Sequence, residues 1–290
     1  MKLRADTFLA QGYSHYICED YILHGIRPEG PFVVLADGCS SAKNTDVGAR
    51  LICYAAARYL QDVRDLPPSV HRNDMVRKIM GRAMMSAEIV GIDVSCLHAT
   101  LLIMHTNGDN LYVNGWGDGH MIVTSTDGTS KHFSVSFPRE MPWYPLYHVT
   151  PSLNSQYMDI TADDKVVLST DLKNKVLDSF EDGYCQEGLR EYVNLKSEST
   201  PISYPFGVAS VTITSDGLGS FLNIDDKAAG PMDPKGIAAE LLAFKNTNGD
   251  FLKRRAGKTI KRYKTNSGDR YDHYDDLSIG TILVEHSGGD

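Results

Sequence analysis

The sequence predicts a mixed α/β fold with a β-rich centre. Three observations carry the prediction. Apolar runs such as 31–36 and 277–284 have strand length and are bounded by turn or charged residues. Two stretches, 46–63 and 73–90, repeat apolar residues at helical spacing instead. Between these helices and the C-terminus, strand-like segments follow one another at 99–105, 111–115 and 120–125. A length of 290 residues suits one large domain or two modest ones, and 42% hydrophobic with 23% charged residues excludes disorder, collagen-like repeats and a coiled coil.

Taken in order, Thr7 to Leu23 is mixed and suits paired strands. Pro31 to Ala36 is continuously apolar and stops at Asp37-Gly38, as a buried strand does when it exits a sheet. A loop over 39–44 leads to a helix with Val47, Leu51, Ile52, Ala55, Ala56 and Leu60 on one face, and Thr45 or Asp46 as its N-cap. Pro67-Pro68 breaks the chain before a second helix, whose expected buried stripe is Met75, Ile79, Met80, Met84 and Ile89. Asn107-Gly108 and Gly117-Asp118-Gly119 mark the turns between the next three strands, and Asp127-Gly128 opens another hairpin. Residues 137–160 are rich in Pro and Tyr and show no clear period. Further strands are expected at 165–170, 208–214 and 277–284, and a helix at 234–251.

Charge and cysteine usage narrow the function classes. A net charge of −8 disfavours nucleic-acid binding, which needs a basic surface to neutralise phosphates. The five cysteines, Cys18, Cys39, Cys53, Cys96 and Cys185, form no CxxC pair, which argues against a disulfide framework or structural zinc and suits a reducing cytoplasm. No apolar run approaches the ~18 residues of a membrane helix, and the first ten residues lack an apolar signal core. A soluble, cytoplasmic protein is expected.

Acidic residues recur at strand ends. Asp37 ends one strand, Asp118 follows another, Asp216 ends 208–214, Asp275 and Asp276 open the last strand, and Glu19-Asp20 precedes Tyr21. Brought together, such carboxylates repel, unless a hard divalent cation with a taste for oxygen ligands neutralises them. Asp-Gly is also the commonest hairpin-turn signal, and Asp127 and Asp182 read as turns only. The order and flanking residues of the others carry the argument.

Five segments in order resemble the motifs of the metal-dependent type-2C protein phosphatases, in their bacterial branch. They are Gly12 to Asp20 with His15, Val33 to Ala49 with Asp37-Gly38, Gly117-Asp118-Gly119, Ser215-Asp216-Gly217-Leu218, and Asp275-Asp276-Leu277-Ser278. The resemblance spans residues 12–284 and implies one catalytic domain over 1–290, with a variable flap-like segment around 138–205. It implies an α/β sandwich of four layers, α-β-β-α, in which two mainly antiparallel β-sheets are flanked by helices. It further implies two Mn2+ or Mg2+ ions, with a weaker third. Asp37 would bridge two of them, with the Gly38 carbonyl on one; Asp216 and Asp275 would hold one metal, and Glu19 and Asp20 the other, directly or through water. Asp118 would serve the third. Asp275 is preferred to Asp276 because the family's ligand is the first of that pair.

The implied reaction is direct attack of metal-activated water on phosphoserine or phosphothreonine, without a phosphoenzyme. Implied partners are a phosphorylated protein substrate and a cognate serine/threonine kinase, with no nucleic acid or membrane, and the chain acting as a monomer. Two departures stand out. His15 occupies the place of a phosphate-clamping arginine, so phosphate affinity is expected to fall as pH rises through the histidine pKa. Cys39 stands where some members place a general-acid histidine, which leaves leaving-group protonation to metal-bound water. A rival for the fourth motif is the segment ending at Asp171, but Leu172 replaces the glycine, and Asp216 is favoured.

Lesser signals have bland readings. Lys253 to Lys264 holds seven basic residues and no acid, and reads as a solvated connector. Trp143, Tyr144 and Tyr147 suit either a substrate groove or aromatic packing. Cys18 and Cys39 read as small buried filler. His120 and His273 lie near the acids in sequence but are not read as catalytic. Two other functions fit the chain: a regulatory relative that binds a partner without turnover, and a phosphomonoesterase for a small molecule.

Overall fold

The computed structural model describes residues 1–63, 72–108, 110–161, 166–170, 174–177, 190–194 and 207–285. Asp171, Asp182 and Cys185 lie outside them, as does much of the expected flap-like segment.

The strands are β1 (Lys2–Ala10), β2 (Tyr21–Arg27), β3 (Gly30–Ala36), β4 (Leu101–Asn107), β5 (Asn110–Trp116), β6 (Gly119–Ser125), β7 (Ser130–Ser136), β8 (Val166–Thr170), β9 (Asn174–Leu177), β10 (Arg190–Asn194), β11 (Val208–Thr214), β12 (Phe221–Asn223), β13 (Tyr271–His273) and β14 (Leu277–Glu285). The helices are α1 (Thr45–Asp62), α2 (Arg72–Ile89), α3 (Pro151–Thr161), α4 (Pro234–Leu241) and α5 (Phe251–Thr265). One sheet runs β1-β14-β11-β6-β7-β8-β9, a second β10-β5-β4-β3-β2, and β12-β13 form a small ribbon. All pairings are antiparallel.

The two large sheets face each other, with β14 and β1 packed on β3 and β2. Helices α1 and α2 cover the outside of the second sheet, and α5 packs on β1 of the first. The expected α-β-β-α sandwich is the observed architecture. It explains why β3 is buried from Pro31 to Ala36 without alternation: one of its faces meets α1 and the other the opposite sheet, so neither meets water.

Several local expectations are corrected. The N-cap of α1 is neither Thr45 nor Asp46 but Asn44, in the left-handed region at φ 59°, and its side chain makes no capping bond. Thr45 is buried and donates its hydroxyl to Glu19 instead. The α2 stripe ends at Ala87, and Ile89 is 82% exposed. The helix expected over 234–251 stops at Leu241, a second begins only at Phe251, and the basic run is not a connector but lies in that second helix, α5. Phe251, Leu252, Ala256, Ile260 and Tyr263 of α5 are buried. The basic residues alternate with that helical stripe, and their density masks it in the sequence. Residues 137–160, without visible period, include most of α3. The turn at 117–119 does not close a hairpin; it carries the chain from β5 in one sheet to β6 in the other. Among the described residues no helix is long and apolar enough to cross a membrane.

A remote carboxylate starts α5. Asp6 on β1 is buried and accepts from the backbone N–H of Leu252 at 2.6 Å and of Lys253 at 3.3 Å, while the cap residue Asp250 offers no side-chain bond. A charge at a helix N-terminus with two orphan N–H donors is worth about 1–3 kcal/mol. Asp6→Ala is therefore expected to lower stability by about that much in urea denaturation; an unchanged midpoint would remove Asp6 from the cap.

His105 on β4 sets an acid limit. It is buried, stacks on Tyr112 with ring centroids 5.3 Å apart, and is held near pKa 4 by burial and then by the Arg27 cation. Its folded pKa lies below the unfolded value of about 6.5. Below that value the unfolded chain takes up a proton that the folded chain refuses, so stability is lost as pH falls from 6.5 toward 4. Between pH 7 and 5 the loss from this group is about 2 kcal/mol. His105→Phe, which keeps the stack, is expected to flatten that part of the pH–stability curve; an unchanged slope would contradict the assignment.

Candidate metal centre at one end of the two sheets

The register brings the acids to one end of the sandwich. Tyr21 pairs with Ala36, Leu35 with Leu102, Leu101 with Trp116, Thr214 with His120 and Ala10 with Leu277. Asp20 therefore leads into β2 beside Asp37 at the exit of β3, and Asp118 sits in the crossover from β5 to β6. Asp216 leaves β11, and Asp275-Asp276 enter β14, at the same end.

The backbone there is tightly tied. Asp37 donates its N–H to Thr100 Oγ1 at 3.1 Å, and its carbonyl accepts from Thr100 N at 2.8 Å. Gly38 forms a bridge with Ala99. Gly12 and Gly217 are required by close approach: a Cβ on Gly12 would lie 2.4 Å from Asp275 C, and one on Gly217 would lie 1.9 Å from Asp276 O. These glycines let the first and fourth motifs press on the last.

The carboxylates influence one another strongly. Asp37 is pushed well above the usual carboxylate range by burial and then by the charges of Asp20, Asp216, Asp118 and Asp275. Asp118 is raised by burial and Asp216. Asp216 is raised by burial, partly offset by a bond with Asp37. Asp275 is raised to about 6 by burial and then by Asp216. Asp37 and Asp118 remain half-buried and Asp216 is exposed to water. Protein surrounds them all the same, so they face a wet, concave recess.

Asp20 is different. It is 1% exposed, and both carboxylate oxygens lack a hydrogen-bond partner. Burial raises its pKa, and the nearby side chains of Ser215, Ser278 and Asp37 lower it only in part. The two serines stand close, but neither is placed to donate to it: Ser215 Oγ donates to the Asp276 carbonyl and Ser278 Oγ has no partner. Glu19 is 21% exposed and accepts from Thr45. Among the described residues, no three His, Cys, Asp or Glu side chains stand close enough to hold an ion as they are.

The acidic pair splits in two. Asp276 is buried and accepts from Gly12 N at 2.8 Å and Glu19 N at 2.6 Å, and it meets His15 Nδ1 at 2.9 Å. Asp275 is 31% exposed and turns toward the recess. His15 Nε2 lies 3.4 Å from Asp275, so both ring nitrogens of the expected phosphate contact face carboxylates. Burial opposes charge on the His15 ring, but Asp276, Asp275 and Glu19 outweigh it and raise its pKa.

Other residues near the recess fall as follows. Tyr144 is buried, packs against His98 and Tyr147, and its hydroxyl lies near Cys39, Asp118 and Asp37. Trp143 and Tyr147 belong to the same aromatic cluster. No sequence pattern singled out Thr100 or the contacts of Asp276, which join segments distant in the chain, whereas Tyr144 takes up the aromatic packing that was one of its two expected roles. Cys18 and Cys39 are half-buried, not buried filler; Cys39 Sγ meets Ser41 Oγ at 3.0 Å. His273 points Nδ1 at the Asp275 carbonyl, 2.8 Å away.

Comparison with known proteins places this arrangement. The fold is similar to that of serine/threonine phosphatase Stp1 from Staphylococcus aureus, with a TM-score of 0.55 and 11% identity over 99% of this chain and 96% of that one. It is similar to the S. agalactiae serine/threonine phosphatase, at TM-score 0.53 and 14% identity over 98% and 100% of the two chains. The Mycobacterium tuberculosis serine/threonine phosphatase PstP/Ppp gives 0.53 and 15% over 99% and 100%. At such identities the likeness concerns the fold. No curated protein matches the sequence. The family model for protein phosphatase 2C matches residues 11–190, which include Asp20, Asp37 and Asp118 and stop before Asp216 and Asp275. By that match over more than half of its length, the chain belongs to the protein phosphatase 2C family.

Proposed function

We propose that the protein is a metal-dependent serine/threonine phosphoprotein phosphatase. The observation that carries the reading is Asp20: a buried carboxylate with two partnerless oxygens, beside four other strand-end acids. A buried unpaired carboxylate is costly, and a hard cation is the partner that an all-oxygen donor set suits. Asp20, Asp37, Asp118, Asp216 and Asp275, with Glu19 and the Gly38 carbonyl, are the groups that would hold Mn2+ or Mg2+, drawing closer than they now stand. Bound there, the ions would supply an activated water and neutralise phosphate oxygens.

The chain's own residues have separate tasks. Asp37 lies between Asp20 and Asp216 and couples the two sides of the recess. Asp276 fixes the first motif through Gly12, Glu19 and His15. His15, held between Asp275 and Asp276, is the proposed phosphate contact, and the neighbouring carboxylates favour its protonated form. The edge of this motif supports a protein substrate over a small one. Tyr16 is fully exposed, and Tyr13 and Ile17 are mostly so, which leaves an open apolar rim that no other described residue covers. The substrate would come from a serine/threonine kinase.

The test is hydrolysis of a phosphothreonine peptide and an aryl phosphate with Mn2+, Mg2+ or chelator. Turnover that needs metal and favours the peptide is expected. No turnover with either ion, from folded protein, would favour the partner-binding reading; preference for the aryl phosphate would favour a small-molecule esterase.

A further inference from the structure

Helix α5 carries a surface that the proposed reaction does not use. Its stretch from Lys253 to Lys264 holds seven basic residues and no acid, and without those charges the −8 of the chain would be −15. Leu252, Ala256, Ile260 and Tyr263 face the core, so the cations occupy the outward arc. Glu240 takes Arg262, and Asp272 takes Lys264. Arg254 and Arg255 donate to backbone carbonyls. Lys253, Lys258 and Lys261 meet no carboxylate among the described residues.

The fold does not account for this density of charge. Residues three and four apart are neighbours on a helix, and like charges there repel. Lys258 has Arg254 and Arg255 before it, and Lys261 and Arg262 after it, at those spacings. Lys253 and Arg254 fall in the first turn, where the helix dipole favours acids. An anion laid along the face would relieve both conflicts. Arg254, Lys258 and Lys261 follow i, i+4, i+7 spacing and span about 10 Å. A narrow acidic segment can follow that line, whereas a membrane plane or a duplex would also meet the acidic remainder of the chain. The apolar stripe of α5 is buried, which leaves nothing to insert into a bilayer.

The face also leads toward the recess. Helix α5 starts at Asp6, passes Phe8 at Gly257, and ends with Tyr263 beside Tyr271 and Lys264 on Asp272, three residues before Asp275. We propose that the outer face of α5 docks an acidic segment of the protein substrate, outside the recess. The substrate part rests on the function proposed above; binding of an acidic segment does not.

The first test is fluorescence anisotropy of a fluorescein-labelled oligoglutamate peptide with the full chain in chelator. Saturable binding that weakens with salt is expected. Lys258→Glu with Lys261→Glu should weaken it by about tenfold or more. Arg77→Glu with Lys78→Glu, an equal charge change at exposed positions of α2, should weaken it far less. No binding, or equal weakening by the two pairs, overturns the site. Tighter binding to vesicles of equimolar phosphatidylcholine and phosphatidylserine, or to duplex DNA, overturns the choice of a protein segment. Lys258→Glu alone should raise Tm, because its four cationic neighbours turn from repulsive to attractive; a fall would show that this lysine serves the fold and overturn its role in docking. For the substrate, an oligoglutamate tract joined to a phosphothreonine peptide should lower KM severalfold in the native chain and not in the Lys258→Glu, Lys261→Glu variant, with kcat unchanged. A KM that ignores the tract overturns substrate docking. The anisotropy needs no turnover, so failure of the face is distinct from failure of the proposed reaction.

Discussion

Asp37→Asn is expected to abolish metal-dependent hydrolysis, by about three orders of magnitude or more, while making the metal-free protein more stable. The two effects have one cause. Asp37 is the acid on which the charges of Asp20, Asp216, Asp118 and Asp275 converge. Without a cation each neighbour raises the cost of its charge, so an isosteric amide relieves repulsion. With a cation the same charge is the attraction that holds the ion, and the amide forfeits it. Activity assays with Mn2+ should be paired with thermal denaturation in chelator. The native chain should gain stability on adding Mn2+ and the variant should gain little. Hydrolysis that survives the substitution would show that Asp37 is not part of the reacting centre. A loss of activity with a fall in metal-free stability would mean that Asp37 is structural.

Asp276→Ala should be the most damaging substitution for the fold around the recess, at about 3–5 kcal/mol. It removes the acceptor for two backbone N–H groups and for the His15 ring, all at 2.6–2.9 Å and at a carboxylate that is 2% exposed. The donors left behind are buried or half-buried and have no nearby substitute. Asp276→Asn keeps an acceptor oxygen and is expected to cost about half as much. Asp275→Asn, one residue away and 31% exposed, should change stability little and activity greatly. Urea denaturation of the three variants separates them. Equal destabilisation by Asp275→Asn and Asp276→Ala would show that the pair is not divided between chemistry and scaffold.

The contrast within this pair shows how far the sequence could be read. Both residues are acidic and both precede the same strand, so only the family resemblance, and no local pattern, favours Asp275 over Asp276. The structure separates them, because Gly12, 264 positions away, donates to one and not the other. Asp6 is a similar case: nothing near it marks a helix cap, since the helix it caps begins 245 residues later. Helix α5 was hidden differently. Its buried stripe was in the sequence all along, but seven basic residues in twelve looked like a solvated connector. Residues 64–71 and most of 162–206, including the rival Asp171, lie outside the described structure.

Local chemistry decided the rest before any fold was known. Runs of apolar residues ending in Asp-Gly fix where strands stop, because a charge cannot continue into a sandwich core and glycine releases the chain into a turn. That places acids at strand ends. Which ends share one edge of the sandwich, which carboxylate faces the recess and which is spent on backbone N–H groups, and that β5 and β6 belong to different sheets, were decided only by the tertiary structure. These are matters of register and sheet packing, set by contacts between segments hundreds of residues apart, and short-range pattern carries no record of them.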